Sequence, residues 1–139
     1  MRKLSDVVFE QRPLILRQDA TAFEACRLMQ EANAGSIVVV DDRGHLAGIF
    51  TGRDVVGRIV AAGRDPSTTR LAEVMTPDPV TISPEQSAVD ALRVMWDGGF
   101  RHVPLVRQGK VVGVVSRGDF RGVEHDRHEQ ERELWEHMR

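Results

Sequence analysis

Cysteine is almost missing from this chain of 139 residues: Cys26 stands alone. A disulfide within the chain is therefore excluded. With no second thiol and no accompanying base, the pattern also offers no redox or nucleophilic role for Cys26, whose apolar helical surroundings are those of a small buried hydrophobe. A surplus of one charge is missing too. The 19 Lys+Arg and 21 Asp+Glu leave a formal net charge of −2, so no basic excess draws the chain to nucleic acid. No apolar run is long enough to span a bilayer, and the first residues lack the apolar core of a signal peptide. The expectation is a cytoplasmic protein with no membrane association. Catalytic sets are absent as well: no P-loop occurs, and no Ser-His-Asp or Cys-His arrangement is suggested. We therefore expect no enzyme and assign no catalytic residue. What remains, at 41% apolar and 29% charged residues, is ordinary material for one globular module.

What is present is an internal repeat, which decides how everything else is read. Ala22-Phe23-Glu24-Ala25-Cys26-Arg27-Leu28-Met29 lies over Ala88-Val89-Asp90-Ala91-Leu92-Arg93-Val94-Met95. Ile37-Val38-Val39-Val40 matches Val103-Pro104-Leu105-Val106 at the same offset, and after a turn one residue shorter Leu46–Phe50 overlays Val111–Val115. The leaders correspond too, Lys3–Val7 with Arg70–Val74. Halves of roughly 65 residues are near the lower limit for folding alone, so they should bury their cores against each other. The expected division is a first repeat over 3–65, a second over 66–121 and a tail over 122–139.

Each repeat has one order of elements. A short extended piece, 14–16 or 80–82, follows a proline. A helix follows, opened by a capping box at Thr21–Glu24 and a looser copy at Ser87–Asp90. Ala22, Cys26 and Met29 form the apolar stripe of the first helix; Val89, Leu92 and Met95 form that of the second. Gly35 ends one, and Gly98-Gly99 the other. Two Val/Ile-rich strands then form an antiparallel hairpin through Gly44 or Gly109. Their weak alternation predicts cover on both sides. A further helix is expected from Arg53 to about Ala62, stopped by Gly63, and Asp65–Thr69 is a loop by composition.

The second strand of each hairpin runs into a recurring corner: Gly48-Ile49-Phe50-Thr51-Gly52-Arg53-Asp54, then Gly113-Val114-Val115-Ser116-Arg117-Gly118-Asp119. A hydroxyl at a strand-to-helix corner can donate to a phosphate oxygen beside free backbone N–H groups. A carboxylate one turn on can accept both hydroxyls of a ribose. The glycine permits close approach of a ligand or of a neighbouring backbone, and Arg53 and Arg117 could either reach a phosphate or face solvent. Thr51–Asp54 and Ser116–Asp119 fit a plain capping box equally well. The glycine at the same distance upstream in both copies favours the ligand reading.

Taken together, the pattern resembles a tandem pair of cystathionine-beta-synthase (CBS) domains, or Bateman module, over about residues 3 to 121. The specific features are the doubled corner, the Arg101-His102-Val103-Pro104-Leu105-Val106 strand and the Leu71–Thr76 leader. The resemblance implies an α/β (α+β) fold of two pseudo-twofold-related repeats, each a small sheet flanked by helices. It implies clefts for adenosyl ligands: AMP, ADP or ATP, with NAD or S-adenosylmethionine as further members. On it, Asp54 and Asp119 resemble ribose-binding aspartates and Thr51 and Ser116 phosphate-contacting hydroxyls. Arg101, His102, Val103 and Pro104 are expected among the ligand-binding residues on the same resemblance, Arg101 and His102 standing where some members reach ligand phosphates. Repeat one has Gly35 and Ser36 there, so the cleft of Ser116 and Asp119 is expected to be the stronger anion site. The implied function is a regulatory sensor, a homodimer that signals to an unidentified protein target; the competing reading is a ligand-independent adaptor.

The tail has no counterpart in the first half. Arg132 and Glu136 are placed to pair along a helix, and Leu134, Trp135 and Met138 would pack on this chain or on a second copy. His125, His128 and Glu129 have helix-compatible ligand spacing, but they lie in a charged stretch without a fourth ligand, and no metal is expected.

Overall fold

The computed structural model describes residues 3–4 and 13–120. In chain order the elements are β1 (Ile15–Arg17), α1 (Ala22–Ala32), β2 (Ser36–Val40), β3 (Leu46–Thr51) and α2 (Gly52–Asp54), which runs into a π-helical segment, Val55–Val60. Then come α3 (Leu71–Val74), β4 (Thr76–Pro77), α4 (Ala88–Gly98), β5 (His102–Arg107), β6 (Lys110–Ser116) and a 3₁₀ turn, Arg117–Phe120. The first sheet has the order β1-β2-β3-β4 and the second is the β5-β6 hairpin. β1 lies parallel to β2, with α1 as the crossover; the other pairings are antiparallel. Ile82 makes a parallel bridge to Leu105, the place that β1 takes beside β2 in the first repeat. The α/β duplication expected from the sequence is therefore the fold.

Local chemistry explains the element ends. Thr21 has extended dihedrals, and its hydroxyl accepts the Glu24 N–H at 3.1 Å. Ser87 and Asp90 form the reciprocal box, each side chain accepting the other's backbone N–H at 3.2 Å. The fuller box is thus in repeat two, the reverse of the sequence expectation. At Thr21 the helix entry is held instead by the linker, with Ala22 N–H donating to Thr69 O and Leu71 N–H to Ala20 O, both at 2.8 Å. Asn33, not Gly35, is the left-handed residue that closes α1, at φ 51°; its short polar side chain tolerates that region. Gly99, at φ 72°, closes α4 as expected. The helix expected from Arg53 widens into a π-helix, with Ala61 N–H donating to Val56 O at 2.9 Å.

The buried stripes differ by a residue from those expected. Ala22, Ala25 and Met29 face the first core, with Cys26 only half-buried; Ala88, Ala91, Leu92 and Met95 face the second, with Val89 half-buried. Small alanines let the helices lie close on their sheets. Every residue of β2 after Ser36 is buried, whereas β6 alternates towards its exposed Val112.

The two cores exchange leaders. Leu71 and Val74, from the second repeat's leader, are buried with Ala22, Ile37 and Phe50 of the first repeat. Leu4, from the first leader, is fully buried among Ala88, Leu92, Val103 and Leu105 of the second. The crossing is held by matching backbone bonds: Leu4 N–H donates to Gln86 O at 3.0 Å, as Leu71 N–H does to Ala20 O. Each buried leucine contributes about 1.5–3 kcal/mol, so each repeat completes its core with a piece of the other.

Candidate functional site

A cleft of about 1010 Å³ opens between the repeats. One wall is Ile49, Thr51, Gly52, Arg53 and Asp54 from the first corner, with Thr76 of β4 and Asp78, Pro79 and Val80 of the irregular segment after it. The other wall is the end of α4 and the start of β5, including Trp96, Gly99, Phe100, Arg101 and His102, together with Arg117.

Asp54 is the buried charge on the first wall, 7% exposed. Its Oδ2 accepts the Thr51 N–H at 2.9 Å and the Thr51 hydroxyl at 3.3 Å. Its Oδ1 accepts the Thr76 hydroxyl at 3.2 Å and lies 3.6 Å from Arg58 Nε. A carboxylate has about four acceptor positions, so the capping arrangement and the leader between them occupy Asp54. Of the three hydrogen bonds the two from hydroxyls are the longer, and hydroxyls rotate freely to other acceptors. A pair of ribose hydroxyls can take those two positions while the short Thr51 N–H bond stays in place.

Gly48 answers the question left open by the motif. It faces Pro77 across the β3–β4 ladder, and a Cβ there would lie 2.8 Å from Thr76 O and 2.9 Å from Met75 Cγ. The glycine admits a neighbouring backbone. That backbone in turn brings Thr76 to Asp54.

The second wall supplies positive charge. Arg53 reaches across, donating to the Gly99 carbonyl at 3.4 Å. The Arg101 carbonyl accepts the Arg117 N–H at 2.9 Å, and the Arg117 guanidinium lies 4.9 Å from the Trp96 ring centroid. His102 lies opposite Ser116 in the β5–β6 register, and its ring packs over Gly35, where a Cβ would come within 3.0 Å of Nε2. The helix-start amides are less available than the sequence implied, because Thr51 N–H is bound to Asp54 and Gly52 N–H donates to Gly35 O at 3.4 Å. Attraction for an anion in this cleft therefore falls mainly to Arg53, Arg101, Arg117 and His102.

The placement regroups the candidate residues. Thr51, Arg53, Asp54, Arg101, His102 and Arg117 line one cleft. Arg101 and His102, assigned from sequence to the corner of Ser116 and Asp119, face Thr51 and Asp54 across the repeat boundary. Val103 is fully buried in the second core, and Pro104 is buried with its carbonyl accepting Ile82 N–H at 3.1 Å; neither lines this cleft. Ser116 ends β6, and the backbone of Asp119 belongs to the 3₁₀ turn that follows. Sequence reasoning missed Thr76, Asp78, Pro79 and Val80, which reach the site only through the β3–β4 pairing. It also missed Trp96, which was legible as a tryptophan one position off the buried stripe of α4.

A family model described as "CBS domain" matches residues 4–61 and 71–126. The chain belongs to the CBS-domain family. Similar proteins include two from Arabidopsis thaliana. The mitochondrial CBS domain-containing protein CBSX3 is 34% identical over 117 residues, 81% of this chain and 57% of its own length. The protein CBSCBSPB2 is 33% identical over 105 residues, 76% of this chain and 20% of its own length. The chain thus spans from a fifth to somewhat over half of these relatives. Among solved structures, a putative signal-transduction protein with CBS domains from Burkholderia ambifaria MC40-6 superposes with a TM-score of 0.77 at 28% identity, covering 84% of this chain and 89% of that one. Tandem CBS repeats are in general regulatory, ligand-binding or interaction modules, and the match indicates no catalytic family. Among the described residues, no helix is long and apolar enough to cross a membrane, and no group of three or more His, Cys, Asp or Glu is placed to hold a metal ion. His125, His128, Glu129 and the apolar end of the tail lie outside the described residues.

Proposed function

We propose that this CBS pair is a regulatory sensor that binds an adenosyl ligand in the cleft between its repeats. The ligand is an adenine nucleotide, AMP, ADP or ATP; NAD and S-adenosylmethionine share the same adenosine and ribose. The observation that supports this reading is the meeting, in one cleft, of the Thr51–Asp54 corner with Arg101, His102 and Arg117 of the other repeat. Asp54 takes the ribose hydroxyls, Ile49 and Val80 offer apolar surface to the purine, and the arginines meet the phosphates. Because the Thr51–Asp54 corner and the Arg101–His102 wall belong to different repeats, a ligand that touches both favours one relative arrangement of the repeats. It shifts that equilibrium by its difference in affinity for the two states. The module acts as a homodimer on a protein target. Val56 and Val60, 66% and 71% exposed one turn apart on the π-helical segment, offer apolar surface to a second copy.

Thermal denaturation with AMP, ADP, ATP, NAD and S-adenosylmethionine tests the reading. At least one ligand should raise the melting temperature progressively with concentration. Because the cationic residues face Asp54, Asp54→Ala should abolish the shift more completely than Asp119→Ala. The saturation of Asp54 by Thr51, Thr76 and Arg58 is what favours the second reading, an adaptor whose corners only cap helices. On that reading none of the five compounds moves the melting temperature.

A further inference from the structure

Trp96 is 68% exposed and lies off the buried stripe of its helix, so core packing does not account for it. The duplication does not require it either, since the repeat places Gln30 at the corresponding position, directly after Met29 as Trp96 follows Met95. Its ring lines the cleft beside Gly98, Gly99 and Phe100, with Arg117 over one face at 4.9 Å to the centroid, within the range of a cation–π contact. Arg53 spans from the Thr51–Asp54 corner to the Gly99 carbonyl, between this end and the wall that holds Asp54 and Thr76. The volume of about 1010 Å³ is at the upper limit of the roughly 300–1,000 Å³ usual for ligand pockets. It leaves room for a second planar group beyond one nucleoside and its phosphates.

We propose that Trp96 and Arg117 form a second ring-stacking subsite, and that the cleft accepts a dinucleotide: two planar bases joined through phosphates. The first nucleoside occupies the Thr51–Asp54 end, the phosphates lie by Arg53 and Arg101, and the second base stacks on the indole. An aromatic face stacks any base, so this subsite selects for the presence of a second ring more than for its identity. The inference rests on the adenosyl reading of the Thr51–Asp54 corner.

Calorimetry on the full chain with ADP-ribose and diadenosine diphosphate separates the two ideas. Both probes carry adenosine, two phosphates and a second ribose; only the latter has a second base. Diadenosine diphosphate should bind about tenfold more tightly, within the range that base–aromatic stacking supplies. Trp96→Ala should collapse that ratio towards one, and Trp96→Phe, which keeps a ring, should retain part of it. Because the indole is exposed, both variants should fold. If ADP-ribose binds but the wild-type ratio is near one, or the ratio survives Trp96→Ala, the subsite is refuted and the adenosyl reading stands. If neither probe binds, both fail together.

Discussion

Gly48→Ala distinguishes a glycine that makes room for a ligand from one that makes room for its own chain. A Cβ on Gly48 would stand 2.8 Å from the Thr76 carbonyl and against the Met75 thioether. Methionine can turn away, but Thr76 O is backbone in a two-residue strand whose register, Gly48 with Pro77 and Ile49 with Thr76, is part of the sheet. Overpacking of this kind costs about 1–3 kcal/mol, and loss of a ladder bond adds about 1 kcal/mol. The total is about 2–4 kcal/mol. For a chain of 139 residues, with an unfolding entropy of about 0.3 kcal/mol per degree, that lowers the melting temperature by roughly 7–13 °C. Gly52→Ala is the control, because a Cβ there meets nothing within 4 Å; its melting temperature should not fall and should rise by no more than about 3 °C, the helix preference of alanine over glycine. The assay is thermal unfolding by circular dichroism without ligand. If Gly48→Ala melts with the wild type and loses only nucleotide binding, the glycine serves the ligand, and β4 does not depend on a bare Cα across from it.

Other outcomes follow from the same contacts. Leu4→Ala should cost about 2–5 kcal/mol in urea unfolding, as a core leucine does; a change below about 0.5 kcal/mol would show, by the usual limit for surface substitutions, that the first leader does not fill the second core. Burial raises the Cys26 pKa, which keeps the thiol protonated and lowers the thiolate fraction at any pH below that value. Alkylation by iodoacetamide at pH 8 should therefore be slower in the folded chain than in urea, and with a single cysteine the mass shift is unambiguous; equal rates would contradict the burial. Thr76→Val removes the hydroxyl bonded to Asp54 Oδ1 and should cost about 1–2 kcal/mol while tightening adenosyl binding, because the ligand no longer displaces that donor. Weaker binding would mean that the Thr76 hydroxyl itself contacts the ligand.

The repeat, the hairpins and the helix starts were legible because they depend on local chemistry. The shorter turn contains Gln108 at φ 52° and Gly109 at φ 79°, a pair of positive φ values that suits a two-residue hairpin loop. Thr21 and Ser87 cap because a hydroxyl near N3 is a local event. The exchange of leaders was not legible. Leu4 and Leu71 read as equivalent apolar residues, and nothing local says that each belongs to the other repeat's core. The site divides in the same way. Thr51, Asp54, Arg101 and His102 could be picked out by residue type and spacing, but their grouping depends on which repeat faces which. Gly35 shows this: it reads as a helix stop, while the structure closes the helix at Asn33 and uses the bare Cα of Gly35 as the floor under His102.

The two readings of the corner, cap and ligand grip, need not compete, because they apply to different bonds of one carboxylate. The Thr51 N–H bond to Asp54 is short and lies within the corner; it holds the side chain in its rotamer whatever else occurs. The hydroxyls of Thr51 and Thr76, at 3.3 and 3.2 Å, satisfy what remains. Without them the buried carboxylate would keep only the Thr51 N–H and the Arg58 guanidinium at 3.6 Å, and a buried charge with acceptor positions unfilled is costly. The donors that ribose would replace therefore help Asp54 to be buried before any ligand arrives. One of them, Thr76, belongs to β4, which joins the first sheet to the second repeat's leader. Exchange of donors at Asp54 thus changes a bond on the segment by which the repeats are interlocked. On the proposed function, occupancy of the cleft would reach the relative position of the two halves through that bond, without any long-range path.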